Sequence, residues 1–123
     1  MTSSQPSPYL VRFAGEHESV PAGRRIFSEG ELGDVMYVVK EGEVDVIVRD
    51  RVIETLGPGG IVGEMALIDK NPRSATAIAR TDCQLVPINE TRFSFLVQQT
   101  PYFALQVMRV MAHRLRSMDE RQK

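Results

Sequence analysis

The chain has no tryptophan, one cysteine and two histidines among its 123 residues. A lone Cys83 excludes an internal disulfide framework. With no histidine near it in sequence, that thiol also lacks the base a nucleophilic cysteine needs. His17 and His113 are too few for the histidine-rich clusters of metal-dependent β-barrel enzymes, so no metal site is expected. His17 falls in a polar turn. His113 falls among Arg109, Arg114 and Arg116, a run read as the solvated face of a helix. No serine–histidine–acid arrangement and no Walker-type glycine loop occurs. Binding without turnover is therefore expected, with no cofactor. The net charge is −1, which gives no reason to expect nucleic acid as a partner. No apolar run reaches membrane-spanning length and no secretory signal is present, so a cytoplasmic location away from membranes is expected.

What is present is ordinary for one soluble domain: 42% hydrophobic and 25% charged residues. Residues 1–18 form an N-terminal segment whose first eight residues, rich in Ser and Pro, are expected to be disordered. Tyr9 to Phe13 suit a short helix or strand. From residue 19 onward, turn signals recur every few residues. Strands are expected at Arg24 to Ser28, Val35 to Lys40, Val44 to Val48, Val52 to Leu56, Ser74 to Arg80 and Gln84 to Ile88, with a turn at Asp50-Arg51. Short strands so punctuated predict a mainly β fold, an antiparallel, jelly-roll-like β-roll over 19–88. Two helices follow within 89–118. Asn89 caps the first, Glu90 to Gln98, with Phe93, Leu96 and Val97 inward. Pro101 starts the second, which runs to about Met118. Its predicted apolar stripe is Phe103, Val107, Val110, Met111, Leu115 and Met118, widened by Leu105, Met108 and Ala112.

The most informative stretch is 63–76, Gly-Glu-Met-Ala-Leu-Ile-Asp-Lys-Asn-Pro-Arg-Ser-Ala-Thr. Glycine permits a tight approach of backbone to ligand. A short helix beginning at Glu64 aims free N–H groups at one point, as an anion requires. Arg73 can grip phosphate oxygens through two parallel hydrogen bonds, which a lysine cannot do. Ser74 adds a hydroxyl donor. Glu64 repels phosphate but suits a ribose hydroxyl. The competing structural reading is a Glu64–Arg73 ion pair beside a turn.

Gly63-Glu64-Met65-Ala66-Leu67 followed by Pro72-Arg73-Ser74-Ala75-Thr76 resembles the phosphate-binding cassette of the cyclic-nucleotide-binding domain family. The likeness extends over roughly residues 20 to 118, through Pro21-Ala22-Gly23, Ile26-Phe27, Glu29-Gly30, Gly33-Asp34, Tyr37 and Gly42. It implies a regulatory sensor module for cAMP, with cGMP as the weaker alternative. By the same resemblance Arg73, Ser74 and the backbone of Gly63, Met65, Ala66 and Ala75 hold the phosphate. Glu64 accepts from the ribose 2′-hydroxyl, and Val46, Val62 and Ile53 wall the base. Members of the kinase branch tend to carry alanine at the Ser74 position for cAMP and threonine for cGMP; serine is intermediate. The family's last helix dimerises in the transcription factors and caps the ligand in the channels. A homodimer or an effector docked on that helix is thus implied, with Met118 as the candidate apolar contact to the base. Where the catabolite activator protein has hydroxyl residues, this chain has Met118 and Asp119. The alternative function is a ligand-free β-barrel scaffold that docks proteins through its last helix.

Overall fold

The computed structural model describes residues 17–122, with side chains to residue 117. The expectations for Tyr9 to Phe13 and for the Met118 side chain lie outside that range. Eight strands form two four-stranded sheets. They are β1 (Glu18–Val20), β2 (Arg25–Phe27), β3 (Met36–Glu41), β4 (Val44–Val48), β5 (Arg51–Leu56), β6 (Ile61–Val62), β7 (Thr76–Ala79) and β8 (Cys83–Ile88). The first sheet has the order β1-β8-β3-β6 and the second β2-β7-β4-β5. All pairings are antiparallel. Helix α1 (Glu64–Asp69) follows β6, and α2 (Glu90–Gln99) and α3 (Tyr102–Gln122) follow β8. The mainly β roll with C-terminal helices is borne out. The strands β1 and β6 have no counterpart in the sequence expectation.

The molecule has two apolar cores. Val39, Val44, Val46, Ala77, Ala79 and Leu85 are packed together between the sheets. Met36, Val38, Val86 and Ile88 pack instead with Leu96, Phe103, Val107 and Val110 of the helices. The first sheet is therefore buried on both faces. Adjacent Val38 and Val39 are both buried because successive side chains point to opposite faces. This also explains the near-continuous apolar run of β8. Pro87 lies within that strand, but β1 pairs with β8 only as far as Leu85, so the missing N–H costs no ladder bond on that side.

The β4–β5 turn sits one residue earlier than the sequence suggests. Val48 pairs with Arg51, and Arg49 and Asp50 form a two-residue loop with φ of 51° and 64°. Both central residues of such a hairpin need positive φ, and no glycine marks the place here. In α2, Asn89 accepts a hydrogen bond from the Arg92 N–H, as a capping residue should.

The last helix departs most from expectation. Its packed face is Phe103, Gln106, Val107, Val110 and Arg114, and Met111 packs at its edge. Leu115 is half exposed, and Leu105, Met108 and Ala112 face solvent. Helical phase explains the result. Steps of 4, 3 and 4 residues from Phe103 arrive at Arg114, not at Leu115. The predicted solvated cationic face is likewise corrected. His113 and Arg116 are exposed, whereas Arg114 is 4% exposed.

Candidate functional site

The stretch from β6 to β7 wraps one small hollow. Gly63 takes φ of 85°, a left-handed backbone suited to glycine, and turns the chain from β6 into α1. Lys70, also left-handed, ends α1 with its N–H donated to the Ala66 carbonyl. Pro72 and Arg73 then lead toward β7. The hollow is lined by Val46, Val62, Gly63, Glu64, Met65, Ala66, Arg73, Ser74 and Ala75, together with Ile53. Every residue singled out from the motif thus converges on one place. Phe27 and Arg114 join them from distant parts of the chain. The Ser74 hydroxyl donates to the Met65 sulfur at 3.6 Å.

Arg73 is held by its backbone and by the shape around its head. Its N–H donates to the Glu31 carbonyl at 2.7 Å, and its own carbonyl accepts from the Gly30 N–H at 2.8 Å. The guanidinium lies over the Phe27 ring, 4.1 Å from the centroid, a favourable cation–π placement. Nη1 donates to the Gly63 carbonyl at 3.2 Å. Nε is buried with no hydrogen-bond partner. Burial lowers the pKa of Arg73, and Tyr37, Glu31, Asp34 and Glu64 work against that shift. The group remains a desolvated cation with an unused donor, an arrangement that calls for an anion.

Gly33 is what lets the guanidinium lie there. A Cβ at position 33 would come within 2.5 Å of the Arg73 guanidinium, the mobile end of a long side chain. Gly33→Ala is therefore expected to displace the Arg73 head while changing stability by less than about 1 kcal/mol. The Arg73 Nε–H resonance should move in NMR spectra while the urea midpoint stays in place.

Glu64 is not paired with Arg73. It is 1% exposed, and its Oε1 accepts from Arg114 Nη1 at 2.5 Å. Arg114 Nε donates to Glu54 Oε1 at 3.0 Å, and Nη2 donates to the Ile61 carbonyl at 2.6 Å. Burial alone would lower the Arg114 pKa, but the carboxylates of Glu64 and Glu54 more than reverse it, and the net shift is upward. The cassette is thereby bolted to α3. Sequence reading missed this partner. The available signal was the phase of Arg114, on the same helical face as Phe103, Val107 and Val110.

The hollow is narrow. Its volume is about 20 Å³, room for about one water. A wider surface cleft of about 690 Å³ opens beside Leu32 and Lys70. The exposed Lys70–Glu90 ion pair lies on its wall, and Leu67 and Lys70 of the 63–76 stretch line it, but Glu64, Arg73 and Ser74 do not.

Comparison with known proteins places this geometry in context. A sequence profile described as the cyclic nucleotide-binding domain matches residues 17–100. The chain is 41% identical over 87 residues to the cAMP-dependent protein kinase regulatory subunit of Eremothecium gossypii, covering 71% of this chain and 19% of that protein. It is 35% identical over 104 residues to the cyclic AMP receptor protein of Thermus thermophilus, covering 80% and 48% respectively. The crystal structure of the Thermus thermophilus catabolite activator protein superposes with a TM-score of 0.78 at 31% identity, covering 94% of this chain and 58% of that one. The chain thus spans less than half the length of these two curated relatives.

Proposed function

Because the chain belongs to the cyclic nucleotide-binding domain family, we propose that its hollow takes up cAMP in preference to cGMP, without turnover, as the sensing step of a regulatory module. The observation that carries this reading is Arg73, a buried guanidinium that lines the hollow and whose Nε has no hydrogen-bond partner. A cyclic phosphate would meet Arg73, the Ser74 hydroxyl and the backbone N–H groups of Met65, Ala66 and Ala75. Gly63 leaves room for that approach. Glu64 would accept from the ribose 2′-hydroxyl through its carboxylate. Val46, Val62 and Ile53 would pack against the base.

The preference for cAMP draws support from the named relatives, a cAMP-dependent kinase subunit and a cyclic AMP receptor. Ser74 leaves cGMP as the competing ligand. The donors and acceptors that line the hollow suit holding a ligand, and we read the module as non-catalytic. Among the described residues no helix is long and apolar enough to cross a membrane; a cytoplasmic setting is our reading. Leu105, Met108, Ala112 and Leu115 follow one another at steps of 3, 4 and 3 along the outer face of α3 and are exposed. That ridge is our candidate surface for an effector or a second copy of the chain.

Since small-molecule sites usually measure about 300–1,000 Å³, ligand entry must widen the hollow, and Arg114 is the side chain that lines it from α3. Thermal unfolding against cAMP, cGMP, 2′-deoxy-cAMP and AMP tests the proposal. A cyclic ligand at 100 times its Kd should stabilise the protein by about 2.7 kcal/mol. The 2′-deoxy form should do less at the same concentration, and AMP should do little. Absence of any shift with both cyclic nucleotides would leave the scaffold reading in its place.

A further inference from the structure

Arg114 is gripped from two sides. Glu64, in the cassette, takes its Nη1, while Glu54, in β5, takes its Nε. Glu54 stands directly opposite Val46 in the β4–β5 pairing, so the two side chains share a face of the sheet. Val46 and Arg114 line the hollow, and Glu54 adjoins both without lining it itself. Glu54 is thus a brace between the sheet and α3, independent of the cassette.

Charge gives this brace a direction. Arg73 and Arg114 balance Glu54 and Glu64 in the ligand-free state. An incoming cyclic phosphate would be neutralised by Arg73, and Arg114 would stay with Glu64. Glu54 is then an excess anion beside an anionic ligand, and like charges in such proximity disfavour binding. Glu54 also holds Arg114 in the position that leaves the hollow room for about one water.

On the cyclic-nucleotide reading above, we propose that Glu54 limits affinity: it pins Arg114 and keeps the hollow shut. Affinity is reduced by the fraction of molecules in the open, competent state. Glu54 lowers that fraction and adds repulsion once the ligand is in. A residue that only stabilised the fold would not affect affinity in this direction, and a residue that contacted the ligand would affect it in the opposite one.

The test uses the full chain and the Glu54→Gln variant, which keeps the size and an acceptor oxygen but removes the charge. Calorimetry with cAMP should show affinity rising about 3- to 10-fold, the scale of one weakened charge-assisted hydrogen bond. Amide hydrogen exchange without ligand should quicken in the turns of α3 around Arg114. Unchanged or weaker affinity in a protein that binds cAMP overturns the proposal. If neither protein binds a cyclic nucleotide, the functional reading fails by itself, and the exchange data then decide the brace. Faster exchange supports it, and unchanged protection around Arg114 overturns it.

Discussion

Replacing Arg73 with alanine is expected to weaken cyclic-nucleotide binding by about two to three and a half orders of magnitude and to leave the ligand-free fold nearly as stable as before. The first half follows from charge. A phosphate buried without its cationic partner costs about 3–5 kcal/mol, and each 1.4 kcal/mol is about one decade in affinity. The second half follows from what Arg73 does when no ligand is present. Its Nε makes no hydrogen bond, and its head rests on the Phe27 ring and the Gly63 carbonyl. Truncation removes those two contacts but also removes a desolvated charge, so the net change should stay within about 1 kcal/mol. Calorimetry and urea unfolding on the same variant check both halves. Near-native affinity would remove Arg73 from the site. A collapse of stability would make it a structural residue.

Replacing Arg114 with alanine should do the reverse, with its main effect on stability. The change strands the Glu64 carboxylate, 1% exposed, and leaves the Ile61 carbonyl without the Nη2 donor. Breaking a buried pair in this way costs about 3–5 kcal/mol. With a urea dependence of about 1–3 kcal/mol/M, the midpoint should fall by at least about 1 M. Pairing Arg114→Met with Glu64→Gln should recover much of the loss, since no charge is then left alone. An exposed arginine, as the cationic run of the sequence suggested, would shift stability by less than about 0.5 kcal/mol. An unchanged midpoint would mean that Glu64 finds water or another partner.

These two arginines also mark how far the sequence could be read. Arg73 was legible because most of the residues that share the hollow with it lie close in sequence, seven of the twelve within 63–75. Arg114 was not, because its importance depends on helical phase and on Glu54, sixty residues earlier. Phe27 likewise reaches the site through the fold. Leu115 belongs to the predicted apolar stripe because so many residues of α3 are apolar, and composition alone cannot tell which face meets the sheet. The strands β2 to β5, β7 and β8 were recognisable from turn chemistry and β-branched runs. β1 and β6 are three and two residues long, and such pieces become strands only when a partner is already in place. The order β1-β8-β3-β6 was out of reach for the same reason.

The separation of the two cores has a mechanical consequence. The side chains around the hollow are anchored largely in the sandwich of sheets, through Phe27, Val46, Val62 and Ala75. The helices rest on a different set of contacts, on the outer face of the first sheet. A tilt of α3 would therefore disturb the helical core first, and would reach the hollow through the bonds of Arg114 to Glu64 and Glu54. The wall of the hollow built on the sheets can hold its geometry while the helical layer changes posture and passes the change through one arginine, which is the division of labour a receptor needs if recognition is not to be spoiled by response.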